Sequence, residues 1–167
     1  PELVKQILCK TYDVDMPKVI AVHLTGKPKH GVGPQDVAIA LIKAVFANGF
    51  VKNTVLEFIG EGVGNISMDY RIGIDVMTTE TTCLSSVWET DAQTEKYLKK
   101  HGRGNEYKEL KVSEPTYYDG VVEIALDKVE PMIALPFHPS NGYTIKEFLA
   151  NCDDILADVE KNAMDVF

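Results

Sequence analysis

The chain has 167 residues, of which 45% are hydrophobic and 25% are charged, a composition typical of soluble globular domains. This length allows one compact domain with its own core, and the composition excludes disordered, collagen-like and rod-like coiled-coil proteins. With 17 basic and 25 acidic residues, the net charge is −8. Nothing supplies the basic face with which proteins bind nucleic acids or anionic membranes, so we expect neither partner.

The lack of a targeting pattern and the spacing of the cysteines restrict the cellular location that we expect for the protein. No stretch approaches the roughly 20 apolar residues of a membrane helix, and no secretory signal is present. The sequence starts at Pro1 and not at Met, so we expect that its start was removed or that it is a piece of a longer protein. Cys9, Cys83 and Cys152 are widely spaced, which argues against a disulfide framework and a local zinc site. We therefore expect a reducing compartment, the cytoplasm.

The first part of the chain alternates between helical and strand patterns. A short helix over residues 1–10 precedes a strand over residues 18–25, which is mainly apolar on both faces and is therefore expected to be covered on both. Pro34 at a first helical position and apolar residues at helical spacing predict a helix that ends near residues 48–49. A strand over residues 55–59 follows, so the order predicts a right-handed parallel βαβ unit.

The later elements complete one α/β domain. Ser67 is expected to cap a helix that runs to about Thr81, and the pair Thr144 and Glu147 predicts a capped C-terminal helix over about residues 144–163. Four further elements are expected between these two helices: a strand at 85–88, a helix from Asp91 to His101, and strands at 121–126 and 132–135. The sequence therefore predicts a single three-layer α/β/α domain over residues 1–167, with a largely parallel or mixed sheet.

A glycine run stands between the second strand and the next helix, where a phosphate-binding loop would lie. Gly60, Gly62 and Gly64 match part of the dinucleotide-binding fingerprint, but Asn65 stands where its last glycine is required. A tight turn is the simpler interpretation. A self-standing ligand-binding or nucleotide-binding module that uses this loop is the alternative.

Glu80 is the carboxyl that periodicity singles out. It follows Met68, Ile72 and Val76 at intervals of four residues, so the four side chains share one face of the predicted helix. Because the first three are apolar, we expect this face to point inward and to bury Glu80. A buried carboxyl is suited to general acid–base catalysis. The alternative is a glutamate at the end of the helix whose side chain leans out to water.

Other polar residues give weaker signals. Arg71 and Asp75 are four residues apart and are expected to form a surface ion pair. His30 and His138 lie in predicted loops, where a histidine can be catalytic. Spacing marks no Ser or Cys partner for either histidine, and most loop histidines are solvated.

Four phrases of the sequence together resemble the aconitase family of iron–sulfur hydro-lyases, which includes isopropylmalate dehydratase. They are VIAVHLTGKPKHGVGPQDVAIALI (19–42), VLEFIGEGVGNISMDYRIGIDVMTTE (55–80), SSVWETDAQTEKYLKKHGR (85–103) and VEPMIALPFHPSN (129–141). Their order and spacing are largely those of the family, from about residue 19 to about residue 141.

The resemblance implies that the chain is the second of the family's four domains, separated from its neighbours. The parent protein would then dehydrate and rehydrate a hydroxy di- or tricarboxylic acid at a [4Fe–4S] cluster held by other domains. Cys9, Cys83 and Cys152 match none of the cluster positions, so this fragment alone is expected to hold no cluster and to be inactive. Its implied partners are the other domains of its own chain and the hydroxy-acid substrate.

The same resemblance implies a role for Glu80, which matches the glutamate of the family motif NMxxE. That residue lines the active site, where it would hydrogen-bond the iron-bound hydroxyl or water and help to pass its proton. Val76 stands where the motif has asparagine, and Thr82-Cys83 stand where Gly-Ala is usual. These departures leave open a different hydroxy acid, or an aconitase-like regulatory module without catalysis.

Overall fold

The computed structural model describes residues 2–166. Four strands form a parallel sheet in the order β3-β2-β1-β4, and two short strands, β5 and β6, pair antiparallel to each other. The strands are β1 (Val19–Thr25), β2 (Val55–Ile59), β3 (Ser85–Trp88), β4 (Gly120–Ala125), β5 (Met132–Ala134) and β6 (Gly142–Thr144). The predicted α/β fold with a parallel sheet is confirmed, and the sequence patterns missed β6.

Helices connect and flank the sheet. They are α1 (Glu2–Cys9), α2 (Pro34–Val45), α3 (Glu61–Gly64), α4 (Met68–Asp75), α5 (Ala92–Lys100), α6 (Ile145–Ala150) and α7 (Cys152–Val166). Two 3₁₀ helices, Thr78–Thr81 and Gly104–Glu106, follow α4 and α5. The helix expected over residues 1–10 corresponds to α1, and its predicted first residue, Pro1, lies outside the described residues.

The main core lies on one face of the sheet, beneath α2. Ile20 pairs in register with Leu56, and Val22 pairs with Phe58, so these four buried side chains project from the same face. The apolar stripe of α2 packs in the same cluster, through Val37, Leu41 and Val45. Burial of such a side chain contributes roughly 1.5–3 kcal/mol, which makes this layer the main source of stability.

The opposite face of the sheet is covered less completely. Ala21 on β1 is buried there, whereas Val121 beside it on β4 is 55% exposed. Tyr118, just before β4, lies close to Glu57 on this face, and burial together with the Glu57 carboxylate raises the pKa of Tyr118 to about 12. The centre of the sheet is therefore shielded on both faces, while the β4 edge is open on one.

Arg71 joins α4 to α5 from inside the protein. Its side chain is only 2% exposed, and its guanidinium donates to the Asp91 carboxylate and, at 2.8 Å, to the Val63 carbonyl. The expected surface pair with Asp75 is therefore wrong. Arg71 lies on the buried side of α4 and points toward Asp91, the residue that caps α5. Its charged partner is therefore the Asp91 carboxylate from a distant segment and not the Asp75 carboxylate of its own helix.

The C-terminal helix expected over residues 144–163 is divided at Asn151. Thr144 caps α6 with the predicted capping box. The Asn151 side chain donates to the Glu147 carbonyl at 3.2 Å, and the Asn151 N–H donates to the Phe148 carbonyl, three residues back, at 3.2 Å. An asparagine that bonds to nearby backbone groups in this way competes with a continuous helix, which accounts for the break.

We expect Asp91→Asn to lower the free energy of unfolding by about 2 kcal/mol near neutral pH, because Arg71 loses its charged partner. Burial raises the pKa of the Asp91 carboxyl, but hydrogen bonds from Arg71 and the backbone of Thr94 and Gln93 outweigh it and hold this pKa below its usual value. A lowered folded-state pKa gives stability that is complete above the ordinary value of about 3.9 and is lost as pH falls through the folded value.

Denaturant unfolding between about pH 6 and about pH 3 checks this prediction. The wild-type chain should lose more stability over the acidic end of this range than Asp91→Asn, which keeps a good helix cap but not the charge. Parallel pH profiles for the two proteins would contradict it.

Candidate functional site

Glu80 lies in the 3₁₀ helix Thr78–Thr81, between α4 and β3. The helix predicted over residues 67–81 is therefore shorter than expected: α4 begins after its predicted cap, Ser67, and ends at Asp75. The Asp75 carboxylate accepts hydrogen bonds from β3, which fixes the end of α4 beside that strand. The chain must then turn to enter β3, and Glu80 stands on this turn.

Hydrogen bonds within the turn hold its shape. The buried Thr78 hydroxyl donates to the Asp75 carbonyl at 2.8 Å, and the buried Thr81 hydroxyl donates to the Thr78 carbonyl at 2.7 Å. Thr82 then takes a left-handed conformation, with φ of 65°, and ends the turn. The backbone that carries Glu80 is therefore well fixed, although the side chain itself is not buried.

The prediction that the apolar stripe of α4 faces inward is wrong for this chain. Ile72 is 40% exposed and Val76 is 63% exposed, whereas Arg71 and Ile74 on the other side of α4 are buried. The Glu80 side chain is also exposed, at 45%. Ile72 and Val76 are therefore exposed apolar side chains, four residues apart on the segment that precedes Glu80, and are called the apolar strip below.

His138 faces Glu80 from the loop between β5 and β6. Its Nε2 atom lies 3.5 Å from Glu80 Oε2. The imidazole stacks on Phe46, just after α2, with ring centroids 3.9 Å apart and an angle of 24° between the planes. The sequence interpretation of His138 as a solvated loop residue is therefore wrong. Its partners come from distant segments, which spacing along the chain does not reveal.

The pair of Glu80 and His138 lies at the amino ends of the strands. The strand order reverses between β1 and β4, and open parallel sheets bind ligands outside the carboxyl ends at such a point. Glu80 precedes β3, so it lies at the other edge. The surface cavities described for this chain are lined by other residues. The chain by itself does not enclose Glu80.

The carboxyl edge carries a separate basic cavity of about 570 Å³ beside the loop that follows β1. Lys27, Lys29 and His30 line it, together with Tyr70 at the start of α4. The two predicted loop histidines are therefore placed on different edges: His30 at this cavity and His138 beside Glu80.

The glycine run at residues 60–64 serves close packing against β1. A Cβ atom on Gly60 would lie 2.6 Å from the Leu24 carbonyl oxygen and 2.6 Å from the His23 ring, and the φ of Gly60 is +99°. A Cβ atom on Gly62 would lie 2.7 Å from the Leu24 carbonyl carbon. These positions need glycine for a tight turn, as the simpler interpretation predicted.

The surroundings of this run do not suit a phosphate. The Gly60 N–H already donates to the Glu89 carboxylate at 3.2 Å. Glu61 and Asp91 line the same small cavity, of about 220 Å³, so added negative charge would be repelled there. The alternative of a nucleotide-binding loop therefore loses its physical basis.

In the described part of the chain, the cysteines and the other possible metal ligands do not converge. Cys9, Cys83 and Cys152 are all unpaired, and Cys9 is exposed. Across residues 2–166, no group of three or more His, Cys, Asp or Glu side chains is placed to hold a metal ion. These donors do not fit an iron–sulfur cluster, which is held mainly by convergent cysteine thiolates. None of the helices in this part of the chain is long and apolar enough to cross a membrane.

The fold is an α/β domain with the Glu80 carboxylate exposed at its surface. The Aconitase family profile (aconitate hydratase) matches residues 1–166. The chain therefore belongs to the aconitase family, and the resemblance seen in the four sequence phrases is confirmed.

Several curated relatives carry the name 3-isopropylmalate dehydratase large subunit. The protein of Lachnoclostridium phytofermentans is 33% identical over 132 residues, which cover 79% of this chain and 31% of the relative. That of Acetivibrio thermocellus is 33% identical over 130 residues, covering 78% and 30%. That of Campylobacter hominis is 33% identical over 136 residues, covering 81% and 32%. The chain spans about a third of the length of these relatives.

The packing role of the glycine run gives a matched pair of substitutions. Gly60→Ala should lower the free energy of unfolding by about 1–3 kcal/mol, because it strains a positive φ and meets the backbone of β1. Gly64→Ala should stay within about 1 kcal/mol of wild type, since its Cβ atom would meet nothing within 4 Å. Urea unfolding of both variants measures the difference, and equal stabilities would contradict the packing role.

Proposed function

We propose that this chain is one domain of an aconitase-type hydratase, which removes water from a hydroxy di- or tricarboxylic acid and adds it back. The observation that carries the proposal is the position of the motif carboxylate, Glu80. It is exposed on a fixed turn, in a chain that belongs to the aconitase family and spans about 31% of a dehydratase relative. We infer that this exposed carboxylate is one part of a site.

The cofactor of such a reaction would come from outside this chain. An iron–sulfur cluster needs several convergent thiolates, and residues 2–166 contain no group of three ligands placed to hold a metal ion. We therefore assign the cluster to other domains of the parent protein and expect the isolated chain to be inactive.

Glu80 is proposed to act on the proton of the leaving hydroxyl. In dehydration, the C–O bond breaks, the hydroxyl leaves as water after it gains a proton, and the adjacent carbon loses its hydrogen as a proton. The Glu80 carboxyl would supply the proton to the hydroxyl, and in hydration the carboxylate would take it back. Its fixed backbone, held by the hydrogen bonds of Thr78 and Thr81, favours a constant position for this group.

The surface around Glu80 supports closure by a neighbouring domain. Ile72 and Val76, the apolar strip, are exposed on the segment that precedes Glu80. Exposed apolar side chains that lie together are typical of surfaces that contact another protein part. A domain docked on this strip would also exclude water from Glu80, which strengthens the electrostatic interactions of a carboxylate with its substrate.

Glu80→Gln in the full-length natural protein should reduce kcat by about 100-fold to 10,000-fold, because the amide cannot exchange a proton with the hydroxyl. The assay is the appearance of the carbon–carbon double bond, followed by ultraviolet absorbance, with 3-isopropylmalate as substrate. The matched control is Glu61→Gln, which changes an exposed carboxylate at the opposite, carboxyl edge of the sheet. An unchanged rate for Glu80→Gln, or an equal loss for Glu61→Gln, would contradict the role.

The apolar strip gives a second test. In the isolated chain, Val76→Ser should lower the free energy of unfolding by no more than about 0.5 kcal/mol, because Val76 is 63% exposed, and Ile72→Ser by about 1 kcal/mol, because Ile72 is 40% exposed. In the full-length protein the same substitutions should lower the melting temperature, because they remove apolar contacts between domains. Identical small effects in both proteins would show that the strip is not covered.

A further inference from the structure

We propose that His138 is a positioning residue for Glu80, with its Nε2–H directed at one oxygen of the Glu80 carboxylate. The inference rests on the proposed function of Glu80 and extends it. It adds a residue of the phrase VEPMIALPFHPSN (129–141) to which the family resemblance assigned no role.

The tautomer of the ring follows from its other nitrogen. The Ser140 backbone N–H lies 3.1 Å from His138 Nδ1, and the Ser140 hydroxyl lies 3.0 Å from the same atom. A backbone N–H can only donate a hydrogen bond, so Nδ1 is an acceptor and carries no proton. The neutral ring therefore has its proton on Nε2, which is the atom that faces Glu80.

The ring is also held in orientation. It stacks on Phe46, and its side chain is 32% exposed. The loop that carries it is closed by three hydrogen bonds of Asn141: its N–H donates to the His138 carbonyl at 2.9 Å, its carbonyl accepts from the Leu135 N–H at 2.9 Å, and its side chain donates to the Pro136 carbonyl at 2.8 Å. Nε2 is therefore presented to Glu80 from a fixed direction.

The two oxygens of the Glu80 carboxylate would then have different roles. An exposed glutamate samples several rotamers, and ordering it costs free energy. A donor at Oε2 selects one rotamer and leaves Oε1 for the substrate hydroxyl. The 3.5 Å separation exceeds an ordinary hydrogen bond, and catalytic hydrogen bonds are often long before the substrate complex forms. We expect this contact to shorten when a neighbouring domain and substrate cover it.

The first test is spectroscopic and needs no activity. At a pH where the ring carries one proton, long-range ¹H–¹⁵N spectra of the histidine rings in the isolated chain should place the His138 proton on Nε2, and the Nε2 signal should move in Glu80→Gln. The His138→Asn variant identifies the signal by its absence. A single ring proton on Nδ1, or an Nε2 chemical shift that is the same in wild type and Glu80→Gln, would overturn the proposal.

The second test compares two replacements in the full-length protein. In His138→Asn, the amide oxygen can still accept from the Ser140 N–H, but the side chain is too short to reach Glu80. In His138→Gln, the longer side chain places an amide donor near the position of Nε2. His138→Asn should lower kcat about 10-fold to 100-fold with little change in KM, and His138→Gln should recover most of this loss.

A double variant separates positioning from simple damage. If His138 acts through Glu80, His138→Asn should cause little further loss in the Glu80→Gln background. Additive losses, or equal rates for His138→Asn and His138→Gln, would overturn the proposal. If Glu80→Gln lowers turnover and His138→Asn does not, the positioning role alone fails. If the wild-type protein dehydrates no hydroxy acid, the proposed function fails, and the ring spectra decide the contact.

Discussion

The carboxylate of Asp75 fixes the part of the structure on which the candidate site depends. It accepts hydrogen bonds from the Ser86 hydroxyl at 2.6 Å and from the Trp88 indole at 2.8 Å, so the end of α4 is tied to β3. Trp88 in turn stacks on Phe58 in the buried core, with ring centroids 3.9 Å apart. The turn that carries Glu80 is therefore anchored, through the side chains of Ser86 and Trp88, to the buried core of the sheet.

This anchoring explains how an exposed carboxylate can be held in a defined position. The backbone of Glu80 is held by the contacts between α4 and β3, whereas its side chain is exposed to solvent and contacts His138. The usual ligand position of a parallel sheet is the opposite edge, where this chain has a basic cavity lined by Lys27 and Lys29. Glu80 lies at the other edge of the sheet. This position is consistent with the proposal that other domains complete its site.

The sequence predicted most of the fold because its signals are local. Ser67 and Thr144 are helix caps as expected, and the four strands of the parallel sheet lie within a residue of their predicted bounds. The errors concern contacts between distant segments. Periodicity did not predict which side of α4 is buried. That side is set by contacts with distant residues, because Arg71 binds Asp91 and Ile74 packs in the core. The contact of His138 with Glu80 is likewise set by the tertiary fold.

We propose that this chain supplies one part of an active site that other domains of the same polypeptide complete. The mass of the natural polypeptide tests this, determined by denaturing electrophoresis and blotting with an antibody raised against this chain. We expect a band at about three times 18.5 kDa, since the chain spans 31% of a dehydratase relative. A single band near 18.5 kDa would contradict it, because Glu80 would then have no neighbouring domain in its own chain.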